Sequence, residues 1–144
     1  MLRMENVSKA YTHRGRLVKA LDGATLHIAS GDFVSVVGPS GSGKSTLLLM
    51  LGGMLSPSAG RVLLGASSVY DLSPSERAKM RREKVGFVFQ TFNLVPYLSA
   101  LENVQVPLFL AKGDEKTQKA RATALLERVG LADRLDPCAT FQEI

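Results

Sequence analysis

The chain has 144 residues, of which 45% are hydrophobic, and a formal net charge of +5 at pH 7. This length suits one domain with its own core, and the longest apolar stretches are far shorter than the ~20 residues that span a bilayer. The N-terminus lacks the apolar region of a secretory signal, and the single cysteine, Cys138, cannot form an internal disulfide. These features predict one cytosolic domain without a transmembrane helix.

The first predicted elements are two strands near the N-terminus. Residues 2–7 and 24–28 are each half apolar and are bounded by polar or glycine residues, which is typical of strands. The two histidines of the chain, His13 and His27, have no cysteine or carboxylate cluster at ligand spacing. We therefore expect no structural metal.

A third strand and a glycine-rich loop follow. Residues 32–37 are mostly apolar and partly β-branched, which favours a strand buried in a parallel sheet. The next residues, 38–46, read GPSGSGKST and fit the phosphate-binding pattern G-x-x-x-x-G-K-[ST]. Because glycine has no Cβ, such a loop can bring successive backbone N–H groups against phosphate oxygens. A helix predicted from about Lys44 adds the partial positive charge of its N-terminus.

This loop predicts a site for a nucleoside triphosphate and Mg²⁺. Lys44 would reach the β- and γ-phosphates, and the Ser45 hydroxyl would ligate the metal. The predicted nucleotide contacts are Gly38, Pro39, Ser40, Gly41, Ser42, Gly43, Lys44, Ser45 and Thr46. The alternative is a plain glycine-rich turn with a solvated Lys44. Glycine makes up ~7% of average residue usage, so the full pattern G-x-x-x-x-G-K-[ST] should arise by chance in fewer than about 1% of chains this long.

A helix with a capping box is predicted next. Ser73 can cap it, Pro74 suits the first helical position, Glu76 can bond back to the cap, and the helix should end near Lys84. Its basic residues are interleaved with Glu76 and Glu83 and have no aromatic stacking platform beside them, so a solvated helix face explains them better than a nucleic-acid surface. The basic residues are Arg77, Lys79, Arg81, Arg82 and Lys84. No nucleic-acid partner is expected.

The remaining elements are one strand and two helices. Residues 85–89 predict a second buried strand, which Gln90 follows. The segment from Ser99 to Glu102 is another capping box, and its helix should be interrupted at Pro107. The last helix is amphipathic and should end at Gly130. Its apolar positions, spaced i, i+3, i+4 and i+7, are Ala122, Leu125, Leu126 and Val129.

Taken in this order, these segments resemble the ATP-binding subunit of ABC transporters, specifically the lipoprotein-releasing and macrolide-export branch. The match runs over about residues 2–136 and leaves 137–144 as a divergent tail. It rests on Tyr11, the loop of residues 38–46, the segment from Leu51-Gly52-Gly53 to Gly60, VGFVFQTFNL at 85–94 and ALENV at 100–104. The resemblance implies an α/β P-loop NTPase, the N-terminal portion of an ABC-type nucleotide-binding domain. A mostly parallel core sheet and an antiparallel β portion are expected.

The resemblance also implies roles, cofactors and partners. Tyr11 matches the aromatic residue that stacks on adenine, and Gln90 matches the glutamine that meets Mg²⁺ or the attacking water, so Lys44 and Gln90 are the implied catalytic residues. ATP and Mg²⁺ are the implied cofactors. A transmembrane permease subunit would dock on residues 87–101, with apolar contacts from Phe92, Leu94, Val95, Pro96 and Tyr97. A second ATP-binding subunit would complete a head-to-tail dimer on the inner face of the cell membrane.

The sequence departs from the family pattern towards its end. The Leu-Ser-Gly-Gly-Gln type signature, the Walker B aspartate with the catalytic glutamate, and the switch histidine do not occur in these residues. Residues 137–144 no longer resemble the family, and codons for residues 140–144 permit Leu-Ser-Gly in another frame, which favours a reading-frame shift. We expect that this chain alone does not hydrolyse ATP and that it folds poorly in isolation, because strands missing beyond its end would leave a sheet edge uncovered.

Two other functions remain open at this level. Gly-Pro-Ser-Gly-x-Gly-Lys-Ser also resembles the loop of guanylate kinases, although 37 residues precede Gly38 and no acceptor site rich in Arg and Tyr is evident. A non-catalytic ATP-binding regulator is the other alternative. A GTPase is disfavoured because no Asn-Lys-x-Asp motif occurs.

Overall fold

The computed structural model describes residues 1–91, 93–109 and 114–134, so Phe92 and the tail of residues 137–144 with Cys138 lie outside the described residues. The chain divides into two compact units, residues 1–88 and 89–144. The first unit contains β1 (Leu2–His13), β2 (Arg16–Ile28), α1 (Lys44–Leu51), β3 (Ala59–Leu64), β4 (Ser67–Ser68) and α2 (Pro74–Lys84). The second contains α3 (Ala100–Phe109), α4 (Glu115–Arg128) and a 3-10 turn (Ala132–Arg134).

The first unit is organised around an antiparallel sheet with the strand order β2-β1-β3-β4. β1 lies in the middle, where Leu2 pairs with Ile28 on one side and with Leu64 on the other. β1 and β2 are joined by Arg14 and Gly15, which both have positive φ angles, as a two-residue hairpin turn requires. The two predicted N-terminal strands are confirmed, and both are longer than the sequence indicated.

The core of this unit lies between the sheet and α1. Its fully buried side chains come from β1, β3, α1 and the segment after β4, and Leu21, Leu26 and Leu47 are among the half-buried residues that pack on them. The buried members are Met4, Val7, Met50, Val62 and Val69. The predicted helix start at Lys44 is confirmed.

The capping box at the start of α2 is also confirmed. The Glu76 N–H donates to Ser73 Oγ at 3.3 Å, and the Ser73 N–H donates to Glu76 Oε2 at 2.9 Å. The Ser73 hydroxyl, and after it the Ser73 N–H, holds the pKa of Glu76 below its usual range. α2 ends at Lys84, as expected.

Two strand predictions in this region were wrong. Residues 32–37 and 85–89 form no strand, Phe33 is 97% exposed, and Val88 is fully exposed. A parallel strand exists only through hydrogen bonds to its neighbours, and none of the four strands in the described residues pairs with either segment. The expected parallel core sheet is therefore not formed within the described part of the chain, and the sheet that is present is the antiparallel portion.

In the second unit, α3 and α4 pack against each other. The expectation that Pro107 interrupts the first of these helices was wrong, because α3 includes Pro107 and ends at Phe109. A proline removes one backbone donor and crowds the carbonyl four residues before it, yet residues 100–109 are helical through Pro107. No helix among residues 1–91, 93–109 and 114–134 has both the length and the apolar character needed to cross a bilayer.

α4 confirms the predicted amphipathic helix with a narrower apolar face. Ala122 and Leu126 are buried, whereas Leu125 is 38% and Val129 is 70% exposed. Gly130 ends the helix as expected, with φ at 78°, and its N–H donates to the Glu127 carbonyl at 3.0 Å. A left-handed residue in this position is the usual reason for glycine after a helix.

We predict that Met50→Ala destabilises the first unit by about 2–5 kcal/mol, since it deletes a fully buried side chain and leaves a cavity. Met54→Ala is the matched control, because Met54 is 50% exposed, and it should change stability much less. Urea unfolding of both variants measures the difference. Equal losses in the two variants would show that Met50 is not part of a packed core.

Candidate functional site

The loop between residues 38 and 43 takes backbone conformations that favour glycine. Gly41 and Gly43 have φ angles of 79° and 90°, which side-chain-bearing residues rarely adopt. A Cβ on Gly43 would also lie 2.3 Å from the Ala20 carbonyl oxygen of β2. Glycine at position 43 therefore lets the loop pass directly against the sheet.

The loop leads into an uncapped helix. Gly43 is the N-cap of α1, no side chain caps it, and its first turn holds no acidic residue. The first helical bond runs from the Leu47 N–H to the Gly43 carbonyl at 2.8 Å. The N–H groups of the preceding turn therefore have no acceptor within the helix. Such a helix start favours a bound anion.

The Lys44 ammonium is held by the same loop. Its Nζ donates to the Gly38 carbonyl at 2.8 Å and to the Pro39 carbonyl at 2.7 Å. A lysine has three N–H donors, so one remains for an anion held by the loop. Lys44 is therefore not the freely solvated side chain of the alternative interpretation.

Ser45 stands one residue further into the first turn and is exposed. A hydroxyl oxygen is a ligand type that Mg²⁺ accepts, and this ion usually takes one or two protein oxygens together with phosphate oxygens. The predicted ligand Ser45 therefore fits the metal by its chemistry and its position. Within residues 1–91, 93–109 and 114–134, no group of three or more His, Cys, Asp or Glu side chains forms a metal site.

Tyr11 lies in the part of the sheet that the loop contacts. It pairs with Val18 of β2, two residues before Ala20, whose carbonyl oxygen lies against Gly43. Tyr11 is 41% exposed, and Lys9 Nζ lies 5.4 Å from the centroid of its ring. The structure thus brings Tyr11 into the neighbourhood of the loop, and its adenine-stacking role stays a prediction.

Lys9 is a residue that the sequence analysis missed. Its Nζ donates to the Ser56 carbonyl at 2.7 Å, which fixes the ammonium beside the Tyr11 ring. Strand residues two apart share a face, so the spacing of Lys9 and Tyr11 could have predicted this pair. The bond to Ser56 spans 47 residues of sequence and had no local signal.

Gln90 belongs to the second unit and is exposed. Its predicted role toward Mg²⁺ or the attacking water stays a prediction. The segment after it presents exposed apolar residues, with Leu94 at 40% and Tyr97 at 87%. This segment contains most of the predicted docking surface.

Asn103 of α3 holds this segment in shape. Its Nδ2 donates to the carbonyls of Val95, Leu98 and Ser99 at 3.2, 2.9 and 3.0 Å, and its Oδ1 accepts from the Val95 N–H at 2.8 Å. The Ser99 capping box adjoins this network, with the Glu102 N–H donating to Ser99 Oγ at 3.2 Å. The Ser99 N–H, and after it the Ser99 hydroxyl, lowers the pKa of Glu102. The sequence analysis predicted the capping box but not the role of Asn103.

Known proteins of one family match most of this chain. The sequence pattern of the family described as ABC transporter matches residues 21–142. The macrolide export ATP-binding/permease protein MacB of Brucella abortus is 43% identical over 136 residues, which cover 94% of this chain and 21% of MacB. The lipoprotein-releasing system ATP-binding protein LolD of Myxococcus xanthus is also 43% identical over 136 residues, which cover 94% of this chain and 61% of LolD.

Solved structures confirm the predicted P-loop NTPase fold. The dimeric ABC transporter cassette MJ0796 superimposes with a TM-score of 0.83 and 41% identity, over 90% of this chain and 57% of that one. A post-hydrolysis state of the same cassette with bound ADP and Pi gives a TM-score of 0.84 and 38% identity, over 95% and 64% of the two chains. The chain thus spans less than two thirds of the length of each of these relatives.

Proposed function

Because this chain belongs to the ABC transporter family, we propose that it binds MgATP through residues 38–46 and serves as the ATP-binding part of a transporter. The observation that carries this proposal is the position of Lys44. Its ammonium is bound to two loop carbonyls, at 2.8 and 2.7 Å, beside the uncapped start of α1. Backbone donors, a helix N-terminus and one cation are thereby directed at the same anion.

The proposed contacts divide the nucleotide among separate groups. Backbone N–H groups of the loop bind the phosphate oxygens, and Lys44 neutralises charge at the β- and γ-phosphates. Ser45 would supply a hydroxyl oxygen to hold Mg²⁺, and the metal would offset phosphate charge; the role of Gln90 toward the metal stays a prediction. Tyr11 stacks on the adenine ring, a contact worth about 1–3 kcal/mol by analogy with bases on aromatic side chains.

The wider assembly is also part of the proposal. MacB is named as an ATP-binding/permease protein, LolD as the ATP-binding protein of a lipoprotein-releasing system, and MJ0796 forms a dimer. We propose that this chain likewise works with a transmembrane permease subunit and a second ATP-binding subunit at the inner face of the cell membrane. The exposed residues Leu94 and Tyr97, on the segment held by Asn103, support a docking surface there.

The first prediction concerns affinity. Lys44→Ala removes the ammonium directed at the phosphates while the backbone contacts stay, so MgATP affinity should fall by about tenfold or more, ~1.4 kcal/mol. Lys79→Ala, which removes the same charge from the exposed face of α2, is the matched control. Calorimetric titration of both variants measures the effect.

Equal affinity in the Lys44→Ala and Lys79→Ala variants would contradict the proposed site. Titration with MgGTP in the same series separates the alternatives, because a guanylate kinase-like protein should prefer the guanine nucleotide. Preference for MgATP supports the transporter function.

The second prediction concerns turnover. Phosphoryl transfer requires a held γ-phosphate, a fixed Mg²⁺ and a water aligned by a base, and Lys44, Ser45 and Gln90 supply only part of this. A purified polypeptide of these 144 residues should therefore release phosphate far more slowly than ~1 s⁻¹, the low end of ordinary enzymes. Steady turnover near that rate, abolished by Lys44→Ala, would contradict the prediction.

The third prediction concerns the docking segment. In cells that express the whole transporter, a cysteine at Tyr97 should cross-link to the multi-spanning permease subunit. Adding Asn103→Asp should lower the yield about fivefold or more, because it replaces the two amide N–H donors shared among three carbonyls with an acceptor-only carboxylate, and losing one such bond costs ~1 kcal/mol.

Asn93→Asp is the matched control for this experiment, since Asn93 is exposed in the same segment and undergoes the same chemical change. Its yield should stay close to that of the Tyr97→Cys parent. Absence of any cross-link to a membrane subunit would refute the docking surface. Equal yields from the Asn103 and Asn93 variants would refute the role of Asn103.

A further inference from the structure

The C-terminal end of α1 is bound by two side chains that come from elsewhere in the first unit. The Tyr70 hydroxyl donates to the Met50 carbonyl at 2.7 Å, and Arg81 Nη1 of α2 donates to the Gly53 carbonyl at 3.0 Å. α1 has no basic residue in its own last turn. The cation that complements the negative end of the helix dipole is therefore supplied by α2.

The surroundings of Tyr70 and Arg81 keep both side chains available as hydrogen-bond donors. Tyr70 and Arg81 are half-buried, and the Arg77 guanidinium lies 5.4 Å from the centroid of the Tyr70 ring. Burial raises the pKa of Tyr70, and the Leu55 N–H and then the guanidinium groups of Arg77 and Arg81 offset part of that rise. The hydroxyl thus stays protonated at neutral pH and can donate to Met50.

The chain passes close to α2 at Gly53, just after the end of α1. The φ angle of Gly53 is 72°, and a Cβ there would lie 3.0 Å from Met80 Cε and 3.2 Å from Val69 Cγ1. The chain after α1 is therefore packed tightly between α2 and the segment that follows β4. This packing holds the Gly53 carbonyl within reach of Arg81.

α1 is short, so a displacement of its C-terminal end would also move its N-terminal end. Its eight residues span about 12 Å, and only Met50 among them is fully buried. The loop that holds Lys44 is continuous with its first turn. We propose that Arg81 and Tyr70 are positioning residues for the phosphate loop. By binding carbonyls at the C-terminal end of α1, they keep its first N–H groups in the direction needed to bind an anion. This inference rests on the proposed function of that loop.

The test compares Arg81→Gln with Arg82→Gln in the full chain. Both variants remove one positive charge from adjacent positions of α2, but Arg82 is exposed and only Arg81 binds the Gly53 carbonyl. Tyr70→Phe is the second test variant, since it keeps the ring and deletes the hydroxyl. Arg81→Lys, which retains a cationic donor, tests rescue.

The first readout is the set of backbone amide chemical shifts of Gly43, Lys44 and Ser45 in the nucleotide-free chain. Arg81→Gln and Tyr70→Phe should move these shifts although the changes lie at the far end of the helix, and Arg81→Lys should restore them at least in part. The second readout is MgATP affinity, which should fall about threefold or more, corresponding to ~0.6 kcal/mol, in both test variants. Arg82→Gln should leave both readouts unchanged.

Shift changes confined to residues near 50–53 and 70–81, with an affinity equal to that of Arg82→Gln, would overturn the inference. The amide shifts need no bound nucleotide. If the parent chain fails to bind MgATP, the proposed function fails, while the shifts still decide whether Arg81 and Tyr70 position the loop.

Discussion

The unsatisfied N–H groups in the first turn of α1 are the constraint on which the rest of this structure depends. Four backbone donors at a helix start have no partner within the helix, and Gly43 supplies no side-chain cap. An anion can satisfy several of them at once, which a single capping side chain cannot do. The positive φ angles of Gly41 and Gly43 and the bonds of Lys44 to Gly38 and Pro39 shape the loop around that position.

Such a helix start is useful only if the helix is held firmly, and several contacts within the first unit hold α1. The Ala20 carbonyl of β2 lies against Gly43, Met50 is buried in the core, and Tyr70 and Arg81 bind the carbonyls at the far end. The antiparallel sheet therefore does more than fill the core. β1 also carries Tyr11 and Lys9, and its pairing with β2 brings Tyr11 into the neighbourhood of the loop.

The sequence predicted those features that depend on neighbouring residues. The glycine-rich loop before α1, the start of α1 and the capping boxes at Ser73 and Ser99 are local patterns, and the structure contains each of them. The strands expected at residues 32–37 and 85–89 failed for the opposite reason. Their apolar composition indicates a strand, but a strand forms only when another strand supplies hydrogen bonds.

Contacts between residues that are far apart in sequence could not be predicted either. Arg81 and Gly53 are 28 residues apart, and Tyr70 and Met50 are 20 apart, so no periodicity or motif could have linked them. The exposed fractions of Leu125 and Val129 also depend on how α4 packs rather than on their spacing. Tyr11 could be placed near the loop only once its pairing with Val18 was known. Its role toward adenine and that of Gln90 toward the metal stay predictions.

Titration of the ¹⁵N-labelled chain with MgATP, followed through its backbone amide resonances, tests the central claim most directly. If the main chain of the loop binds the phosphates, the amides of residues 41–46 should show the largest saturable shifts, and adenosine with Mg²⁺ should leave them in place because it carries no phosphate. Larger shifts elsewhere in the chain, or the same shifts with adenosine, would contradict the account.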